Sequence, residues 1–400
     1  MKSLLTVFFA LCVPALIAQE PSAQKPSLAV IHGPYLQELT TDGVTVLWVT
    51  NAPCVGRVEY GSDEPAQIAQ TVRHGMIDAN TTHHSVRITG LKPGQKYQYR
   101  LVNTEIVRFG AYNTTLGETI LGDTYSFTTL DPVPADFSFI VTQDIHSQAE
   151  KYVSLLDKVK LDEAVFVVLN GDIDNDPREE AQLFSGHIDV SVERFAKEKP
   201  FILVTGNHET RGAFARKVFD VYPHSSGRFY YSFSHGGVYF MVLACGEDKE
   251  DNHPVYAGLN LFDEYRAEQA RWIEREMQSD AAKSARYRIV FTHIPPFIDL
   301  DAAIRRRPGA EPTEAYTHPH AVAQLSKLWA PLFRKGNVDL VVSGHTHRHQ
   351  WLDQNLEKGD YALFIGSNRE IETIKVTDAA LEIVAQDTEG DTKSYRVLRR

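Results

Sequence analysis

The pattern of hydrophobic and polar positions changes near residue 131. Before it, apolar and polar residues alternate over short stretches such as Val44 to Val49 and Tyr97 to Leu101, and turn residues separate the stretches. Alternation over four to eight residues predicts half-buried β-strands. Residues 28–131 are therefore predicted to form an all-β sandwich.

From residue 136 onward, short apolar runs alternate with longer amphipathic stretches. The runs predicted as buried strands are Phe137 to Val141, Ala164 to Leu169, Phe201 to Val204, Arg288 to Phe291 and Val338 to Val342. Two further strands are predicted over Phe229 to Phe233 and Val238 to Ala244. Helices are predicted over 147–160, 178–197, 264–279 and 321–334, and three or four further strands over 360–399. This order predicts a layered α/β (α+β) domain over 136–400, joined to the first domain by a proline-rich linker at 131–134.

The first 18 residues have the pattern of an export signal. Lys2 precedes an apolar run from Leu4 to Ala18 that is interrupted by Pro14. This run is shorter than the roughly 20 residues that span a bilayer. Residues 1–18 are therefore predicted to be a signal peptide, and the protein to be secreted or periplasmic without a transmembrane anchor. An uncleaved membrane anchor is the alternative.

Composition narrows the possible functions. The 400 residues carry a net charge of -11, which argues against binding a nucleic acid duplex or an anionic membrane over a large surface. Of three cysteines, Cys12 lies in the predicted signal peptide, while Cys54 and Cys245 are far apart in the sequence. These two are predicted to be buried free thiols, because so few cysteines do not make a disulfide framework.

Five short motifs carry metal-binding side chains, and each follows an apolar run. They are Asp144-Ile145-His146, Gly171-Asp172, Gly206-Asn207-His208-Glu209, Thr292-His293 and Gly344-His345-Thr346-His347. Because sites in open α/β sheets form at the carboxyl ends of strands, the motifs are expected to converge. A single histidine among 16 is more often structural than ligating, so the prediction depends on all five motifs occurring in this order.

The donors of these motifs can hold two cations side by side. Two carboxylates, one amide and four imidazoles suit iron, manganese or zinc. Two divalent cations bring four positive charges and the carboxylates of Asp144 and Asp172 bring two negative ones, so the site would attract an anion. Adjacent ions can polarise a phosphate ester and lower the pKa of bound water to roughly 7, which makes a metal-bound hydroxide available for attack. The sequence therefore predicts hydrolysis of a small phosphate ester.

The motifs resemble those of the calcineurin-like metallophosphoesterases and, within them, the purple acid phosphatases. The resemblance covers residues 140–350 for the catalytic motifs. The preceding domain is similar to the N-terminal domain of purple acid phosphatases, and Trp48 and the corner from Leu91 to Tyr97 resemble a fibronectin type III domain. The resemblance implies a dinuclear metal centre and an acid phosphatase activity.

The resemblance also implies a role for each donor. One metal ion would be bound by Asp144, His146, Asp172 and His347. The second would be bound by Asp172, Asn207, His293 and His345, so Asp172 would bridge the two. His208 is implied to contact the substrate and to protonate the leaving group, which makes His208 and Asp172 the expected catalytic residues. Arg211 is predicted to bind substrate beside His208, and the segment 294–320, which has no clear secondary structure, could overhang the site.

One departure from the purple acid phosphatases concerns their colour. Those enzymes have glycine at the position of His146 and a tyrosine ligand three residues after the aspartate, where this chain has Asn175. Because a tyrosine–iron(III) bond produces the colour, we predict an enzyme without the purple absorption. The identity of the metals stays open.

Two other functions are compatible with the same residues. A phosphodiesterase acting on nucleotides or phospholipid head groups would use the same metal centre. A non-catalytic surface adhesion or binding protein would be expected to lack a donor, and none of the seven is missing. Nothing in residues 28–131 identifies a partner for the first domain, and bracing of the catalytic domain is the simpler role.

Overall fold

The computed structural model describes residues 27–298, 320–358 and 360–399. The predicted signal peptide and most of the segment 294–320 lie outside the described residues. In the described part of the chain, no helix combines the length and the apolar character that crossing a bilayer requires.

An all-β unit forms around one long strand, β2. Its strands are β1 Val30–Gln37, β2 Gly43–Gly61, β3 Gln67–Ala69, β4 Val72–Arg73, β5 Met76–Ile77, β6 Thr81–Thr89, β7 Lys96–Arg108 and β8 Thr115–Thr128. The first half of β2 pairs with β1 and β6, and its second half pairs with β3 and β7. The buried Trp48 packs against the core that also contains Tyr99 and Phe127. The all-β prediction is confirmed, whereas the likeness to fibronectin type III stays a prediction.

The remaining strands form two six-stranded mixed sheets. They are β9 Phe137–Thr142, β10 Ala164–Leu169, β11 Phe201–Leu203, β12 Tyr231–His235, β13 Val238–Val242, β14 Tyr287–Phe291, β15 Leu340–Ser343, β16 Gln350–Leu352, β17 Ala362–Ile365, β18 Glu370–Val376, β19 Ala380–Asp387 and β20 Thr392–Leu398. One sheet has the order β11-β10-β9-β18-β19-β20 and the other the order β12-β13-β14-β15-β17-β16. Strands β9 to β11 run parallel, as do β13, β14, β15 and β17.

The two sheets pack face to face, and helices cover their outer faces. Phe139 and Phe166 from the first sheet pack against Phe240 and Phe291 from the second in an apolar layer between them. The intervening residue Ile140 points to the opposite face, as strand periodicity requires, and joins the core beneath the first group of helices. The result is a helix–sheet–sheet–helix arrangement, which confirms the predicted layered domain.

Helices lie between the strands and are shorter than predicted. The α-helices are α1 Ala149–Leu156, α2 Glu180–Leu183, α3 Asp189–Ser191, α4 Val218–Val221, α5 Phe262–Glu276, α6 Asp280–Ser284, α7 His320–Leu328 and α8 Ala330–Lys335. Single 3-10 turns cover Leu161–Glu163, His208–Thr210, Ala215–Lys217, Pro254–Tyr256 and Leu356–Lys358. The helix predicted over 178–197 contains two π-helical turns, at Phe184–Ile188 and Val192–Ala196. The helix predicted over 321–334 is interrupted at Trp329, which is fully buried and donates from Nε1 to the Arg266 carbonyl oxygen at 3.0 Å.

The all-β unit contacts the layered domain mainly through β1. The His32 ring stacks on Phe184 with 4.1 Å between centroids, and its Nδ1 lies 2.9 Å from Asp189 Oδ1. The Tyr35 hydroxyl donates to the Val221 carbonyl oxygen at 3.0 Å. The domain boundaries at 28–131 and 136–400 stay a prediction. Cys54 and Cys245 are both buried and free, as predicted.

Candidate metal centre

The five motifs lie at the carboxyl ends of strands from both sheets. Asp144 and Asp172 follow β9 and β10 in one sheet, while His293 and His345 follow β14 and β15 in the other. The two groups meet where the sheets adjoin, since the His345 backbone N–H donates to Asp144 Oδ2 at 3.0 Å. The convergence expected from parallel strand order is therefore present in the structure.

The Asp144 carboxylate is the centre of one group of donors. Its Oδ1 atom lies 3.2 Å from His347 Nε2 and 3.8 Å from both His146 Nε2 and His293 Nε2. The Nε2 atoms of His146 and His347 face each other at 3.0 Å. Two imidazole nitrogens at this distance repel through their lone pairs unless a proton or a cation lies between them.

The Asp172 carboxylate is the centre of the second group. Its Oδ2 atom lies 2.9 Å from His293 Nε2, and its Oδ1 accepts from the His208 backbone N–H at 2.9 Å. The other ring nitrogen of His293, Nδ1, donates to the Asn170 carbonyl oxygen at 2.8 Å. A backbone acceptor on Nδ1 fixes the ring and directs Nε2 toward the carboxylates, as is common for metal-binding histidines.

Among the residues that the structure describes, three sets of side chains bring their donor atoms within 4.8 Å of one another. They are Asp144 with His146 and His347, His146 with Asp172 and His208, and Asp172 with His293 and His345. Asp172 belongs to two of these sets, the second of which is wholly buried. The structure thus places a carboxylate where two adjacent cations could share it.

The donor cluster contains buried polar atoms whose hydrogen-bonding capacity is unsatisfied, as expected of metal ligands. Asp144 Oδ1, Asn207 Oδ1, His293 Nε2 and His345 Nε2 are all buried and make no well-aligned hydrogen bond to another described residue, although Asp144 Oδ1 has His347 Nε2 at 3.2 Å and His293 Nε2 has Asp172 Oδ2 at 2.9 Å. Leaving a buried polar atom unpaired costs about 1–3 kcal/mol. All four atoms belong to predicted ligands, and metal coordination would satisfy them together.

The electrostatics of the site also favour added positive charge. Burial opposes the charged form of His293, but the Asp172 and Asp144 carboxylates raise its pKa to about 10. Burial lowers the pKa of His146 to about 4 and that of His345 to about 3, so both imidazoles are neutral at pH 7. The two carboxylates therefore recruit a proton onto His293, and the neutral imidazoles are in the form that binds metal.

Backbone strain is concentrated at the same residues. Asp144, His146, Asp172, His345 and His347 all have positive φ angles, between 51° and 72°. Positive φ is uncommon for residues other than glycine, and it persists only where surrounding contacts fix the chain. Five of the seven predicted ligands are held in this way, which is typical of a pre-organised functional site.

The glycines of the motifs allow close approach to the donors. A Cβ on Gly171 would lie 2.4 Å from the His293 ring, and one on Gly206 would lie 2.3 Å from Asp172 Oδ1. A Cβ on Gly344 would lie 2.8 Å from Asp144 Oδ2. These contacts are shorter than side chains tolerate, so the glycines are needed for the donors to pack together.

His208 and Arg211 lie together beside Asp172. His208 Nε2 is 3.9 Å from Asp172 Oδ2, and Arg211 Nη1 is 3.0 Å from His208 Nε2. Both side chains are partly exposed, at 19% for His208 and 21% for Arg211. The structure therefore brings both predicted substrate-binding residues to the accessible side of the donor cluster.

Glu209 supports the site through backbone contacts that the sequence did not predict. Its buried carboxylate accepts backbone N–H groups from four residues, namely Asp172, Ile173, Asp174 and Gly206, at 2.6 to 3.0 Å. It thereby ties the loop that carries Asp172 to the loop that carries Asn207. An acidic residue two positions after the predicted ligand Asn207 was the available signal, but three of its four partners are distant in sequence.

Comparisons with known protein families agree with this geometry. Residues 137–349 match the family Calcineurin-like phosphoesterase, and residues 34–129 match Purple acid Phosphatase, N-terminal domain. The structure of purple acid phosphatase PPD1 from yellow lupin (Lupinus luteus) seeds superposes with a TM-score of 0.63 at 15% identity, covering 92% of this chain and 74% of that one. At this identity the likeness concerns the fold.

Sequence relatives carry two kinds of name. The serine/threonine-protein phosphatase CPPED1 of Pongo abelii is 27% identical over 150 residues, which are 38% of this chain and 42% of that protein. Purple acid phosphatase 21 of Arabidopsis thaliana is 24% identical over 276 residues, which are 67% of this chain and 52% of that protein. The chain thus spans about half or less of the length of these curated relatives.

The chain belongs to the calcineurin-like phosphoesterase family, which its sequence motifs resemble. Its first part belongs with the N-terminal domains of purple acid phosphatases, so the predicted resemblance is confirmed.

Proposed function

We propose that this protein is a dinuclear-metal phosphoesterase that hydrolyses phosphate monoesters. The observation that carries the proposal is the cluster of four buried, unsatisfied donor atoms around Asp172 and Asp144. One ion would be held by Asp144, His146, Asp172 and His347. The other would be held by Asp172, Asn207, His293 and His345, with Asp172 shared. Two such ions supply Lewis acidity and an acidified water for attack on phosphorus.

The side chains of the protein then have distinct tasks. Asn170 and Glu209 orient His293 and the Asp172 loop through the hydrogen bonds described above. His208 and Arg211 face the accessible side, where a phosphoryl group would lie. His208 is proposed to give a proton to the departing ester oxygen, and Arg211 to contact the phosphoryl oxygens. General acid catalysis of this kind contributes roughly 10²–10⁴-fold to rate.

A monoester is favoured over a diester as the substrate. The names of both kinds of relative contain the word phosphatase, although the chain matches only part of each protein. A monoester dianion carries more negative charge than a diester, and the loaded site would carry a net positive charge. The preference is tested by assaying the metal-loaded protein on an aryl phosphate monoester and on the matching aryl phosphodiester.

The expected result is a higher kcat/KM for the monoester, and loss of that activity in the Asp172→Ala variant. A higher kcat/KM for the diester would instead establish the phosphodiesterase alternative. If the purified protein bound no metal above background and hydrolysed neither ester, the non-catalytic binding protein would be the correct function.

Export is proposed on the basis of the sequence alone. The short apolar run after Lys2 supports cleavage after residue 18 and release to a secreted or periplasmic location. The mass of the mature protein recovered from the expressing cells tests this. An intact N-terminus on the purified protein would contradict it.

A further inference from the structure

The Arg211 side chain is almost fully committed to protein partners. Its Nε donates to Glu247 Oε1 at 2.9 Å, and its Nη2 donates to Glu247 Oε2 at 3.0 Å and to Asp248 Oδ1 at 3.3 Å. Its Nη1 donates to His208 Nε2 at 3.0 Å. Arginine has five N–H groups, so among the described residues four have an acceptor and one, on Nη1, is left to donate.

Glu247 is the main partner of Arg211, and its carboxylate is only 1% exposed. Besides receiving the bidentate pair from Arg211, its Oε2 accepts the Tyr256 hydroxyl at 2.7 Å. Its backbone carbonyl oxygen accepts from Nη2 of Arg266, which is itself fully buried. A bidentate carboxylate fixes the plane of a guanidinium, so the direction of the free N–H is set by Glu247.

The contact between Arg211 and His208 defines the hydrogen on the imidazole. His208 Nδ1 faces the Asn175 carbonyl oxygen, which can only accept, so Nδ1 carries the hydrogen. Arg211 can only donate, so in this arrangement Nε2 of His208 is an acceptor, and it must gain a proton and separate from Nη1 before it can act as the proposed proton donor. Glu247, Arg211 and His208 therefore form an ordered chain of contacts that ends at the proposed substrate position.

The charges of the four described residues in this cluster balance one another. Arg211 and Lys249 are positive, Glu247 and Asp248 are negative, and Lys249 Nζ lies 2.9 Å from Asp248 Oδ1. The cluster therefore adds little net field to attract a phosphate ester. The cluster therefore contributes orientation, because it fixes the free N–H of Arg211 in place without adding net charge.

We infer that Glu247 and Tyr256 are positioning residues, which hold Arg211 so that its remaining Nη1 hydrogen meets an oxygen of the phosphate ester. This inference rests on the proposed function of the same site. The loop that begins at Gly246 thereby determines how the phosphoryl group is oriented, although none of its residues is a proposed metal ligand.

The test compares Glu247→Gln, Tyr256→Phe and Arg211→Lys in the metal-loaded protein. Glu247→Gln should lower kcat by about 10- to 100-fold, because orientation is lost. It should not raise KM and should tighten inhibition by inorganic phosphate, because the cluster gains a net positive charge. Tyr256→Phe should lower kcat by about threefold through loss of one hydrogen bond. Glu250→Gln is the matched control, since Glu250 is exposed on the same loop, and it should leave kcat within about twofold.

A double-mutant cycle separates positioning from a general effect on folding. If Glu247 acts through Arg211, the Arg211→Lys/Glu247→Gln double variant should be no slower than the slower single variant. Additive losses, or a loss in Glu247→Gln that matches only a lower metal content or melting temperature, would overturn the inference. An unchanged kcat in Glu247→Gln would also overturn the inference. If Asp172→Ala were inactive in the same experiment, the proposed function would still stand. Activity retained in Asp172→Ala would remove the proposed function itself.

Discussion

His293 and Asp172 form a contact that joins the two sheets of the layered domain. His293 Nε2 lies 2.9 Å from Asp172 Oδ2, and His293 follows β14 of one sheet while Asp172 follows β10 of the other. Both side chains are almost completely buried. An ion bound at this contact would therefore hold together strand ends that are distant in the sequence.

Replacing His293 with alanine should remove one of two bound ions and leave the other. The first ion keeps Asp144, His146, Asp172 and His347 as ligands. Turnover should fall by more than about 100-fold, which is the upper range for outer-shell partners of a metal. Metal content and kcat of the same preparation check this. The exposed His74, replaced with asparagine, is the control and should retain both ions.

Replacing Glu209 with glutamine should loosen the two loops that carry Asp172 and Asn207. The glutamine amide would present its own N–H groups to backbone N–H groups that need acceptors. Metal affinity should fall by about 10- to 100-fold. The free energy of unfolding should fall by about 3 kcal/mol, since two donors lose their acceptor. Metal titration and denaturant unfolding measure these effects, and unchanged values for both would contradict the role given to Glu209.

The iron-loaded protein should lack the visible tyrosinate band of purple acid phosphatases. Asn175 stands where they have the tyrosine ligand, and its backbone oxygen accepts from His208. The three sets of candidate ligands contain no tyrosine among the described residues. An absorption spectrum after iron loading tests this, and a purple band would show that another tyrosine reaches the metal.

The stability of the all-β unit should depend on His84. Burial lowers the pKa of His84 to about 4, from 6.5 in the unfolded chain, and its ring stacks on Trp48. Since the unfolded state binds the proton more tightly, this stability is complete above pH 6.5 and is lost as the pH falls toward 4. Between pH 7 and pH 5 the loss should be about 2 kcal/mol.

Thermal or denaturant unfolding at pH 7 and pH 5 measures this loss. His84→Phe keeps a ring against Trp48 and should show a smaller difference between the two pH values. His74→Asn should behave as the wild type. An equal pH dependence in the His84→Phe variant would assign the effect to another group.

Much of the fold could be predicted because buried strands are visible in the sequence as apolar runs. β10 occupies Ala164–Leu169 as predicted, and the tail forms four strands, within the predicted three or four. The π-helical turns at 184–188 could not be predicted, because they depend on tertiary contacts. There His187 contacts Tyr222 through Nε2 and Asp174 through Nδ1. By contrast, Pro331 in the first turn of α8 was a usable signal for the break at Trp329.

The candidate metal-binding side chains could be predicted from the sequence, whereas the residues that orient them could not. Chemically specific residues after apolar runs identified all seven predicted ligands, whose assignment as ligands stays a prediction. The carbonyl of Asn170 and the carboxylates of Glu209 and Glu247 act on residues distant in sequence. Such partners become visible only once strand order is known, because sequence spacing does not report contacts between loops.

The central claim is that Asp172 shares two metal ions, and elemental analysis of the wild type beside Asp172→Ala tests it most directly. We predict two ions per chain in the wild type and fewer than one in the variant, with the all-β unit still folded by circular dichroism. Two ions retained in Asp172→Ala, or one ion per chain in the fully loaded wild type, would contradict a shared carboxylate.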